Sequence, residues 1–112
     1  MVRVKREQTA TQLAQIVRRE MDLYTGDAGK VMLMSIYDNQ QHVYSVMGIN
    51  HAEIEQPAWV ILLARVVDDF VIIDCDITLE KPLVDALMVN GGIPRDKIVL
   101  AYAGEKLPPP TE

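Results

Sequence analysis

The residues predict an α+β fold: an N-terminal helix packed on a curved antiparallel β-meander of about four strands, then a short helix and a final strand. Three observations carry this reading. A stretch of helical period ends near Tyr24, four runs rich in apolar residues follow between polar turns, and a second helical stretch closes on glycines and a proline before a last β-rich run. At 112 residues and 49% apolar content, the chain is sized for one domain over 1–112 and can fill one core.

The first helix is expected from Thr9 to Tyr24. Leu13, Ile16, Val17, Met21 and Tyr24 recur on one side, while Gln12, Gln15, Arg18, Arg19 and Asp22 fall on the other. Gly26 is expected to end it as a left-handed cap, with Asp27 to Lys30 as a loop. Val31 to Tyr37 and His42 to Ile49 then read as a hairpin around the polar turn Asp38-Asn39-Gln40-Gln41. Pro57 leads into Ala58 to Val67, and Asp68-Asp69 turns that run into Phe70 to Cys75. Thr78 is expected to cap the second helix, which has Pro82 near its first turn, a stripe of Leu83, Val84, Leu87 and Met88, and Asn90-Gly91-Gly92 as its stop. Pro94 blocks continuation, Lys97 to Tyr102 reads as the final strand, and Ala103 to Glu112 is a proline-rich tail expected to be extended and solvated.

Val31 to Ile36 and Trp59 to Leu63 are apolar at nearly every position instead of alternating, so both faces of those strands call for burial. Two helices cover one sheet face. The other face must curl, receive a loop or meet a second molecule, and a homodimer is the expectation.

Several function classes are disfavoured. With 11 basic and 16 acidic residues the net charge is -5, so direct nucleic-acid binding is not expected. The single cysteine, Cys75, has no internal disulfide partner, and the N-terminus has no apolar leader, so a cytoplasmic location is expected. The longest apolar run, Pro57 to Ala64, is far shorter than the ~20 residues of a membrane helix.

Candidate chemistry weighs little against structural explanations. Asp74 and Asp76 are two apart on a strand and would share a face, but a divalent ion needs further oxygen ligands that no loop supplies. Cys75 with His42 or His51 would need a thiolate, which flanking aspartates disfavour. Ser35 and Ser45 lie in strands without a nucleophile elbow. Gly91-Gly92 follows a helix, whereas a phosphate loop precedes one. Arg3, Lys5, Arg6, Arg18 and Arg19 make the first quarter locally basic, which reads as a charged face more readily than as a phosphate site. No catalytic residue, metal or cofactor is expected.

Asp76, Thr78, the helix Leu83 to Met88, and Gly92-Ile93-Pro94-Arg95-Asp96-Lys97-Ile98-Val99-Leu100 together resemble the XisI family, the excision-controlling factors of cyanobacterial DNA elements. The order upstream is also similar, with an amphipathic helix, a strand ending near Tyr37-Asp38 and a second strand carrying Tyr44. The chain departs from the family pattern at Asn50-His51, at Gln56 and at Ala64. The resemblance implies a non-enzymatic accessory protein that works with a site-specific recombinase and with an XisH-like partner. It marks Tyr44, Asp76, Thr78, Gly92, Ile93, Pro94, Asp96 and Tyr102 as signature or partner-contact positions. A different class of reading is a small-molecule pocket between sheet and helices, with Asp74, Asp76 and Tyr102 as its polar groups.

Overall fold

The computed structural model describes residues 9–51 and 55–109. Helix α1 (Ala10–Asp22) starts one residue after a reciprocal cap. The Thr9 hydroxyl accepts from the Gln12 amide at 3.2 Å, and the Gln12 side chain accepts from the Thr9 amide at 2.9 Å, so two otherwise orphaned donors are satisfied. The helix ends earlier than its periodicity suggests, on Leu23, and Gly26 is no helix cap. Gly26 instead opens a short strand, β1 (Gly26–Ala28), inside what reads as a loop. A two-residue turn at Gly29-Lys30 folds it onto the next strand, Ala28 opposite Val31, with Gly29 at φ +83°.

The four expected meander strands follow as β2 (Val31–Asp38), β3 (Val43–Asn50), β4 (Ala58–Val67) and β5 (Phe70–Asp76), each antiparallel to its neighbour. Asp38 accepts from the amides of Gln40 and Gln41 at 2.9 and 3.1 Å, which closes the first long turn, and Asp68 at φ +55° makes the tight second one. Helix α2 (Leu83–Val89) leads through a 3-10 turn at Arg95–Lys97 into β6 (Ile98–Leu100), which pairs with β5 in parallel. The sheet therefore has six strands in chain order, the expected meander and final strand with the short edge strand β1 added, and is mixed. The final strand is shorter than Lys97 to Tyr102 because Ala101–Ala103 winds into another 3-10 turn. From Gly104 to Pro109 the tail is exposed, as expected, although Glu105 turns back to accept from the Leu100 amide at 2.9 Å.

Both helices pack on one face. Leu13, Ala14, Val17 and Met21 of α1, Leu83 and Leu87 of α2, and Ile93 join Tyr44, Val46, Leu62, Ala64, Val66, Val71 and Ile73 in one core. The join between the helices depends on Gly91, where a Cβ would stand 2.6 Å from the Leu87 carbonyl and 2.6 Å from an Ile16 methyl. Gly48 plays a like part at the sheet's other end, since its Cβ would meet the Trp59 ring at 2.7 Å. No helix among the described residues is long and apolar enough to cross a membrane.

Candidate functional site

The signature positions of the C-terminal third are occupied with building that third. Asp76 sits at the end of β5, and its Oδ2 accepts from the Leu83 amide at 2.8 Å at the start of α2. Its Oδ1 accepts from the Thr78 amide at 2.8 Å and from the Thr78 hydroxyl. Thr78 is therefore not the helix cap expected of it. Pro82 holds the N-cap position without a capping side chain, and the carboxylate seven residues upstream of Leu83 serves instead. At the other end of α2, the Gly92 and Ile93 amides donate to the Met88 and Leu87 carbonyls at 3.1 and 3.0 Å, with Gly92 left-handed at φ +69°. Ile93 is buried, Pro94 introduces the 3-10 turn, and Asp96 is exposed within it. Tyr102 is exposed as well, and partial burial followed by the Asp76 charge raises its phenol above the ordinary value.

Tyr44 stands apart from these, on β3 under α1. Its ring is stacked against Tyr37 with centroids 6.3 Å apart, and the Arg18 guanidinium lies 3.8 Å over the Tyr37 ring while donating to that residue's hydroxyl. Burial raises the Tyr44 phenol, with Arg18 opposing. His42, strained at φ +54°, has its Nδ1 buried with no hydrogen-bond partner among the described residues, beside a cavity of about 230 Å³ that Gln15, Arg18 and Asn39 also line. Arg18 and Arg19 are thus engaged with the fold, Arg19 through Glu20 at 3.1 Å. Arg3, Lys5 and Arg6 lie outside the described residues.

Asp74 and Asp76 do not share a face. A bulge between β4 and β5 sets Leu63 opposite Cys75 and Ala64 opposite Ile73, leaving Asp74 as the extra residue. Asp74 accordingly leaves on the side away from the helices and receives Arg65 Nε at 2.8 Å, while Asp76 turns toward α2. The proposed trio of Asp74, Asp76 and Tyr102 is divided between two faces. Cys75, beside the bulge, has its thiol raised by burial first and by the Asp76 charge second, and its Sγ approaches the Val60 and Ile61 carbonyls at 3.9 Å. Neither histidine is among its hydrogen-bond partners. Among the described residues, no three His, Cys, Asp or Glu side chains come together as a metal site.

A larger cavity, about 350 Å³, opens between the end of α1 and α2, where Glu20, Leu23, Tyr24, Glu80, Asp85 and Val89 are among its walls. Glu20 is only 3% exposed, held by Arg19 and by the Asn90 amide group at 3.2 Å. Tyr24 donates to the Lys81 carbonyl at 2.7 Å, and burial with the Asp76, Glu20 and Asp85 charges raises its phenol. This place is not obvious from composition. One signal exists, because Glu20 follows Ile16 by four and Val17 by three, so a carboxylate interrupts the apolar stripe of α1.

The face of the sheet away from both helices carries Met32, Met34 and Ile36 of β2, Val43, Met47 and Ile49 of β3, and Val60 and Leu63 of β4, as their register dictates. Met34, Ile36 and Val60 are among the chain's exposed large apolar residues. Ile72 and Val99, paired across β5 and β6, are buried yet stand outside the helix-side core.

The family model described as XisI protein matches residues 3–112. The fold is similar to a crystal structure of a XisI-like protein from Anabaena variabilis, with a TM-score of 0.69 and 17% identity over 81% of this chain and 84% of that one. It is also similar to the fdxN element excision controlling factor XisI from the same organism, with a TM-score of 0.58 and 23% identity over 81% and 86% of the two chains. No curated protein matches the chain. With nearly its whole length matched, the chain belongs to the XisI family.

Proposed function

Taking that membership as premise, we propose that this protein is a non-enzymatic regulator of the programmed excision of a DNA element, working through contacts with a recombinase and an XisH-like protein. The observation that supports the reading best is the state of its polar groups. The signature carboxylate Asp76 is spent on the amides of Thr78 and Leu83, Asp74 on Arg65, and Glu20 on Arg19 and Asn90, so these groups hold the fold together. Large apolar side chains, by contrast, stand at the surface: Leu23, Leu79 and Val89. A protein arranged this way is suited to docking on other proteins, and its net charge of -5 favours basic protein surfaces over bare DNA. Removal of the gene from its host tests this. Excision of the element should stop and return with the wild-type gene, and co-purification should recover the XisH-like protein; excision that proceeds unchanged overturns the proposal.

One observation favours a second reading, a small-ligand site. The α1–α2 cavity has a volume within the usual range for ligand pockets, with Glu20, Glu80 and Asp85 beside Leu23 and Val89. A compact organic cation with an apolar side would suit it. Thermal-shift screening of amines against the protein separates the two readings: a saturable rise in unfolding temperature, lost in Asp85→Asn, supports the pocket, and no shift removes it.

A further inference from the structure

We propose that the open face of the sheet is the seat of a second copy of this chain, packed face to face about a two-fold axis near Met34, Ile36, Met47 and Val60. The inference rests on the fold and stands whether or not the excision reading holds. It begins with the pattern of burial across the strands. On β3 the helix-side residues Tyr44 and Val46 are sealed, whereas on β2 the outward residues Met34 and Ile36 remain 43% and 56% exposed. The outward residues of β2, β3 and β4 form one continuous apolar field, because each pairs with an apolar or small neighbour: Met34 with Met47, Ile36 with Ser45, Met47 with Val60, and Ser45 with Leu63.

From β2 to β4 the field crosses three strands and extends several residues along each, on the order of 250 Å² in plan at ~4.8 Å between strands and ~3.3 Å per residue. That plan area is close to the lower end of the ~300–600 Å² of the largest apolar patch on a typical monomer. A standard interface takes ~800 Å² per partner, so the contact between two copies must extend past this field onto the rim around it.

The chemistry of the field selects a copy as its occupant. Across a two-fold axis every side chain near the axis meets its own kind, so an unpaired charge there would face a like charge. None is present among the residues named. Arg65 is held by Asp74 on the same face, and the Ser45 hydroxyl donates to the Leu62 carbonyl at 3.0 Å. The face can therefore lose its water without stranding a polar group. Its neutrality also gives a charged foreign protein nothing to select by, in contrast to the carboxylate-lined cavity between the helices. Three methionines, Met32, Met34 and Met47, supply flexible chains able to fit a repeated surface against itself. Edge pairing has only short stretches to use, since the edge strands β1 and β6 are three residues each and the part of β2 that β1 leaves open runs only from Met34 to Asp38.

Sedimentation equilibrium on the full chain, over a micromolar concentration series, tests the proposal. The wild type should show twice the monomer mass, and Ile36→Lys and Val60→Lys, at positions open to solvent in the single chain, should keep the wild-type circular dichroism while raising the dissociation constant at least about 100-fold. Leu79→Lys, on a residue 95% exposed and off this face, should leave the dimer intact. A monomeric wild type overturns the inference, as does a dimer that survives both lysines or is broken by Leu79→Lys. Should the lysine variants lose their circular dichroism, Ile36→Thr replaces them, with weakened self-association as the required result.

Discussion

The two faces of this sheet are made of similar residues and end in different circumstances. On the side of the helices, Leu62, Ala64, Val66, Val71 and Ile73 are sealed by α1 and α2. On the other side, Met34, Ile36 and Val60 keep much of their surface. The difference is one of supply: two helices suffice to cover one face and none remains among the described residues for the second. Apolar character in a strand therefore records a demand for burial, and the topology decides whether the chain itself meets it.

The sharpest way to break this comparison is to truncate one residue on each face. Leu62→Ala should cost about 2–5 kcal/mol of unfolding free energy, as a large side chain removed from a sealed core. Ile36→Ala, measured at a dilution where the single chain prevails, should cost no more than about 0.5 kcal/mol. Equal costs in urea titration would mean that the open face is covered within one chain. Next in size is the helix side's dependence on close approach: Gly91→Ala should destabilise by about 1–3 kcal/mol, since the new methyl must displace the Leu87 carbonyl and Ile16. Asp76→Ala should follow at about 1–2 kcal/mol by freeing the Leu83 and Thr78 amides, while Thr78→Ala should cost less because the Leu83 contact survives. A larger effect from Thr78 would show that the threonine is the true cap.

Smallest of all are the ion pairs at the rim. Lys97 donates to Asp69 at 2.7 Å and holds its carboxyl below the ordinary value. A carboxyl whose value is lowered by folding contributes its stability above the unfolded value of about 4 and loses it as pH falls through the lower folded value. Asp69→Asn should accordingly cost at most about 1 kcal/mol near neutral pH and flatten part of the acid limb of a stability profile.

How much of this was legible in the residues follows from what each feature depends on. Local patterns were sufficient for α1, for the β2 to β5 meander and for the glycine stop of α2, because period, turn chemistry and capping act within a few residues. Strand β1 was hidden because Gly26-Asp27-Ala28 has no β-forming residue and is a strand only by virtue of pairing with β2. The separation of Asp74 from Asp76 was hidden by the bulge, an extra residue that no alternation rule anticipates. Helix α2 took its cap from Asp76 rather than Thr78 because the intervening loop returns the strand end to the helix start, a fact of tertiary geometry. The signature residues were visible in order, yet their work in closing α2 and seating β6 became apparent only with the contacts in place.

The account turns on whether the open face is covered by a second copy, and folding coupled to association has a thermodynamic mark: partner binding to the native form makes the unfolding temperature depend on concentration. Calorimetry across a hundredfold range of protein concentration should show the wild-type midpoint climbing steadily while that of Ile36→Lys stays fixed. A wild-type midpoint that does not move with concentration, at a mass of one chain, would contradict it.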